Sequence, residues 1–133
     1  MQDSIKTVLV VEDEDGVRNL LRTLLRLAGV DALTCRDGAE ALDLLAARGG
    51  DIHLLITDIH LDPDMDGVEL AGELRARLPH LKVLYISGAE AEDRVEREVS
   101  AGLAEFLLKP FTPTTFTAAT QALLSQLSAV AAS

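Results

Sequence analysis

The chain has 133 residues, 48% of them hydrophobic, which is the size and content of one folded domain and excludes a disordered chain. A net charge of −10 argues against nucleic-acid binding by this domain, and the lone Cys35 excludes an internal disulfide and offers no zinc pattern. The apolar run in MQDSIKTVLVVEDED is too short for a signal peptide and no stretch approaches transmembrane length, so a cytoplasmic protein without membrane contact is expected.

Apolar runs alternate with helical patterns from end to end. Thr7 to Val11 (TVLVV) predicts a strand. Gly16 to Ala28 predicts a helix, with Val17, Leu20, Leu21, Leu24 and Leu27 on one face and Arg18, Arg22 and Arg26 on the other, stopped at Gly29. Asp31 to Cys35 is a second strand. Asp37 opens D-G-A-E, a capping-box-like start for a helix that runs to about Arg48 and ends at Gly49-Gly50. His53 to Thr57, rich in branched side chains, fits a strand buried on both faces. Asp66 opens D-G-V-E, the same start again, and its helix extends to Leu78 before Pro79. Lys82 to Ser87 is strand four. The fourth helix, about Ala91 to Ala101, has little beyond Val95 and Val99 to bury and should be the least firmly docked. Glu105 to Leu108 is strand five, and Thr112-Pro113 caps a last helix that runs to about Ala129.

Five short buried strands alternating with five helices predict an α/β fold, a parallel sheet with helices on both faces, in a single domain spanning 1–133 with its core at about 6–128. In such folds ligands sit beyond the carboxyl ends of the strands. The residues delivered there are Glu12-Asp13-Glu14-Asp15, Asp58, Ser87-Gly88 and Lys109-Pro110. Singly, each has an ordinary explanation as a helix-capping acid, a turn residue or a surface lysine. Together they form a unit. Two carboxylates about 4 Å apart repel by about 4 kcal/mol at an effective dielectric of about 20, so Glu12, Asp13 and Asp58 need a cation to stay ionised together. A hard divalent ion such as Mg²⁺ meets that need and keeps water sites open for phosphate oxygens. With Lys109 as a second positive charge and the Ser87 hydroxyl as a donor, the set is equipped for phosphoryl transfer onto a carboxylate.

The pieces VLVVEDE, TDIHLDPDMDG, LYISG and FLLKPFTP, in this order and spacing, resemble the receiver domains of two-component response regulators, from about Lys6 to Leu127. The resemblance implies a flavodoxin-like (βα)5 fold with strand order 2-1-3-4-5. It implies that Asp58 takes a phosphoryl group from a sensor histidine kinase or phosphotransfer protein. Mg²⁺, or Mn²⁺ in its place, would be bound by Asp13 and Asp58, by Glu12 through water and by the backbone carbonyl of His60. Lys109 would touch the phosphoryl group, the Lys109-Pro110 bond would be cis, and Ser87 would move toward the phosphate. Phe106 would follow inward and reshape the face made by the fourth helix, fifth strand and fifth helix. His60 and Ala89 would tune the phosphate lifetime. Such a domain is a signalling phosphoacceptor, not an enzyme that turns over a separate substrate. Three departures stand out: Glu12 where Asp is commoner, a loop after Asp58 one residue longer than usual, and Phe106 in place of the frequent Tyr, which leaves its switch to packing.

Two rivals use the same loop. Asp62 to Glu73 satisfies an EF-hand calcium pattern, but a strand precedes it where a helix is needed, and Pro63 stiffens it. A haloacid-dehalogenase-type phosphohydrolase needs an acid two residues past the nucleophile, where this chain has His60. After Lys109 no charged residue follows, so the neutral face of the last helix is a candidate surface for a downstream protein or a phosphorylation-dependent homodimer.

Overall fold

A computed structural model describes residues 7–48, 52–61 and 64–132, with 127–132 by their backbone alone. Its strands are β1 (Thr7–Val11), β2 (Asp31–Cys35), β3 (Leu54–Asp58), β4 (Lys82–Ser87) and β5 (Ala104–Leu108). They lie parallel in the order β2-β1-β3-β4-β5. Between and after them run α1 (Asp15–Leu27), α2 (Gly38–Arg48), α3 (Gly67–Arg75), α4 (Asp93–Ser100) and α5 (Pro113–Ala132). The fold is therefore the flavodoxin-like α/β arrangement that the motifs implied.

Alternation along the strands builds two cores. Val8, Val10, Leu54, Ile56, Leu84 and Ile86 meet Leu21 and Leu25 of α1 and Phe116 and Leu123 of α5. Leu9, Val11, Cys35, Leu55, Val83 and Tyr85 face the other way, toward Ala41 and Leu45 of α2, Leu70 and Leu74 of α3 and Val95 of α4. Both faces of the sheet are thus covered, which is why the strands read as continuous apolar runs and not as alternating ones. At the end away from the candidate site, Thr7 and His53 are doubly bonded: the His53 N–H donates to the Thr7 carbonyl (2.9 Å) and the Thr7 N–H to His53 Nδ1 (3.0 Å).

Several boundaries move. The buried stripe of α1 is Val17, Leu21, Leu24 and Leu25, while Leu20 is 46% and Leu27 80% exposed, so neither belongs to the face predicted for it. The reason is that α1 must meet both the sheet and α5, which selects i, i+4, i+7 and i+8. The arginines expected on the polar face lean back over the sheet's edge, Arg18 to the Glu12 carbonyl (3.0 Å) and Arg22 to Thr34 Oγ1 (2.8 Å). Helix α3 ends at Arg75, three residues before Leu78, as its last N–H groups tighten into a turn, Arg77 N–H donating to the Leu74 carbonyl (3.1 Å). Glycines at positive φ follow two helices, Gly29 (80°) after α1 and Gly102 (77°) after α4. The predicted Gly49-Gly50 stop and Asp62 of the long loop lie outside the described residues.

The two predicted helix starts are built differently. At α3, Asp66 accepts from the Glu69 N–H (2.8 Å) and Glu69 accepts from the Asp66 N–H (3.0 Å), a complete capping box. At α2, Asp37 accepts from the Glu40 N–H (2.9 Å), but Glu40 reaches one residue further back, to the Arg36 N–H (2.8 Å).

Candidate functional site

Strand order reverses beside β1: its connection to β2 goes one way across the sheet and the path to β3 the other. That switch point opens a crevice at the carboxyl ends of β1 and β3. Glu12 and Asp13 follow β1 directly, and Asp58 is the last residue of β3. One carboxylate oxygen from each of Glu12, Asp13 and Asp58 lies within 4.8 Å of the others. Glu12 is 2% and Asp58 9% exposed, while Asp13 is open to solvent. From β5, the next residue, Lys109, extends Nζ to 3.1 Å from Asp58 Oδ2 and 4.0 Å from Glu12 Oε1. The peptide bond between Lys109 and Pro110 is cis.

Electrostatics at this cluster are unbalanced. Burial, and then the hydrogen bond shared with Asp58, push the Glu12 carboxyl up to about 8 against the pull of the Glu14 N–H. Burial draws the Lys109 amine down, but its hydrogen bond to Asp58 and the fields of Asp58 and Glu12 outweigh that and hold it above its usual range. Two acids thus share what one ammonium leaves uncompensated. Three oxygen donors in one small volume, one of them held back from ionising, fit a hard divalent cation.

The flanking residues are positioned by the ends of β4 and β5. Ser87 is 1% exposed; its hydroxyl accepts from the Ala89 N–H (3.1 Å) and its carbonyl from the Lys109 N–H (2.8 Å), which ties the two strand ends together. His60 is exposed on the loop past Asp58. Phe106 is half-buried against the core on the α4 side, register partner of Tyr85 on β4. Of the acids of the calcium pattern, Asp66 is engaged elsewhere, in the capping box of α3 with Glu69, and the segment before the loop is a strand where the pattern needs a helix.

Three features escaped the sequence. Gly67 approaches so closely that a Cβ there would lie 2.1 Å from the Asp58 carbonyl oxygen, and its N–H donates to the Ile59 carbonyl (2.7 Å). Arg94 of α4 pairs with Asp66. Arg75 of α3 and Tyr85 of β4 converge on Glu98 of α4. The last two join residues far apart in the chain, the first crosses a loop, and no local pattern signals any of them.

Comparison with known proteins agrees. The family model described as response regulator receiver domain matches residues 8–121. Among relatives, the response regulator protein FleR of Pseudomonas aeruginosa is 38% identical over 104 residues, 78% of this chain and 21% of its own length. The sensor kinase CckA of Brucella abortus is 39% identical over 106 residues, 79% of this chain and 11% of its own. A chemotaxis protein CheY homologue of Campylobacter jejuni is 34% identical over 109 residues, 80% of this chain and 82% of its own. The chain therefore spans a small part of the first two and most of the third. A response regulator receiver domain protein from Clostridium thermocellum shares the fold with a TM-score of 0.78 at 23% identity, covering 95% of this chain and 99% of that one. With its topology, its acid cluster and these matches, the chain belongs to the response regulator receiver domain family.

Proposed function

We propose that Asp58 is the phosphoacceptor of a two-component system and that residues 1–133 act as one such domain. One observation carries this: a nearly buried carboxylate at the sheet's switch point, within ion-pair reach of a lysine and crowded by two further acids. An oxygen of Asp58 attacks the phosphorus of a phosphohistidine, the P–N bond breaks as the P–O bond forms, and the imidazole, already protonated on its other ring nitrogen, leaves neutral with the P–N electron pair. Lys109 follows the charge from the carboxylate to the phosphoryl oxygens. Glu12, Asp13 and Asp58, with the His60 carbonyl, would hold Mg²⁺, or Mn²⁺ in its place. When bound, that ion neutralises charge on the transferring group.

After transfer the Ser87 hydroxyl turns from Ala89 to the phosphate and Phe106 moves inward, altering the face of α4, β5 and α5. His60 and Ala89 border the path of the attacking water and set the lifetime. The domain performs only its own phosphorylation and slow dephosphorylation, with a sensor histidine kinase or phosphotransfer protein as donor and a protein as target. No described helix is long and apolar enough to cross a membrane, in keeping with a cytoplasmic site of action. Incubation with acetyl phosphate and Mg²⁺ should add roughly 80 Da to the chain, absent in Asp58→Asn. An unmodified wild-type mass would sink the proposal.

A further inference from the structure

Helix α4 has little apolar attachment: eight residues, with Val95 fully buried and Val99 half-buried. Charge holds it instead, and at both ends the partner is α3. At its beginning Arg94 pairs with Asp66, the residue that caps α3, and bonds Glu92 as well. Near its end Glu98 Oε1 accepts from Arg75 Nη1 in the last turn of α3 (2.7 Å) and from the Tyr85 hydroxyl (2.7 Å). Arg75 Nη2 also donates to the Leu103 carbonyl (2.9 Å), on the connection from α4 to β5. The Arg75 and Glu98 side chains are only 17% and 18% exposed, so breaking the pair would strand a charge where water compensates poorly.

Helix α3 is in turn fixed to the acceptor strand. Gly67, its first residue, lies against the Asp58 carbonyl and bonds the Ile59 carbonyl. A continuous path therefore runs from Asp58 through Gly67 and α3 to both ends of α4. At its far end stands Tyr85, fully buried, opposite Phe106.

We propose that Arg94–Asp66 and Arg75–Glu98–Tyr85 form a two-ended polar strap that makes α3 and α4 one moving body. Arg94 is then a positioning residue for the loop that follows the acceptor, and Glu98 carries a change at Asp58 to α4 and to the neighbourhood of Phe106. The strap places a tyrosine hydroxyl on β4 within the switch, although Phe106 on β5 has none. This inference rests on Asp58 being the phosphoacceptor.

The test is hydrogen exchange of peptides covering α4, read by mass spectrometry before and after acetyl phosphate with Mg²⁺, with phosphate occupancy measured in the same samples. In the wild type, phosphorylation should alter α4 exchange. Glu98→Gln and Arg94→Gln should accept phosphate, exchange at α4 at least about tenfold faster beforehand, and lose the phosphate-driven change. Arg94→Lys, which keeps the charge, should recover much of it. An unaltered α4 response in Glu98→Gln and Arg94→Gln at matched occupancy would overturn the strap alone. Absence of phosphate on the wild type would overturn the acceptor assignment and the strap with it.

Discussion

Gly67 shows how one missing side chain shapes the site. A Cβ there would meet the Asp58 carbonyl oxygen at 2.1 Å and the Ile59 Cα at 3.1 Å, both backbone atoms with little room to give. Gly67→Ala should lower stability by about 2 kcal/mol or more, seen as a lower urea midpoint, and should slow phosphorylation because the acceptor strand must shift. Gly16, with open space around it, makes a suitable control: alanine there should leave both measurements near wild type. That Asp58, Asp13 and Lys109 come together was legible in the sequence, because all three stand at the same ends of parallel strands; singly, each had an ordinary explanation. Gly67 was not, since its neighbour is the Asp58 carbonyl nine residues back and its D-G-V-E setting already looked explained by helix capping.

At the level of elements, all five strands and five helices were legible, because burial on both sheet faces gives unbroken apolar runs. Which face of a helix is buried was harder to read. Val17, Leu21, Leu24 and Leu25 compete with Leu20 and Leu27 for the same stripe, and only the position of α5 decides between them. The attachment of α4 was half legible: its poverty in apolar side chains shows in the sequence, its ion pairs do not. Asp66 offers a measure of that attachment. Burial raises its carboxyl, but the Glu69 N–H and the Arg94 guanidinium outweigh burial and hold it below its usual range. A depressed folded value means its stabilisation is present above the unfolded value, near 3.8, and is lost as the pH falls through the folded one. Asp66→Asn keeps a capping oxygen and loses the ion pair. At pH 7 the wild type should exceed it by about 1 kcal/mol or less, and the gap should close below about pH 4 in urea titrations.

For the whole molecule, a net charge of −10 with three carboxylates gathered at one point makes cation binding a matter of fold stability as well as chemistry. Mg²⁺ at ten times its dissociation constant should stabilise the protein by about 1.4 kcal/mol, raising the thermal midpoint, and a chelator should reverse the rise. Asp13 is exposed, so Asp13→Asn should fold normally yet lose most of the increment. A flat midpoint across Mg²⁺ concentrations would count against the metal assignment. The second core holds a further practical consequence. Cys35 closes β2 at 4% exposure, and burial pushes its thiol up to about 12. At neutral pH the native sulfur should stay silent toward maleimides and nitroxide reagents. New cysteines at exposed Ser100 and Ala46 could then carry a pair of spin labels on the unmodified background, turning any displacement of α4 into a ruler reading.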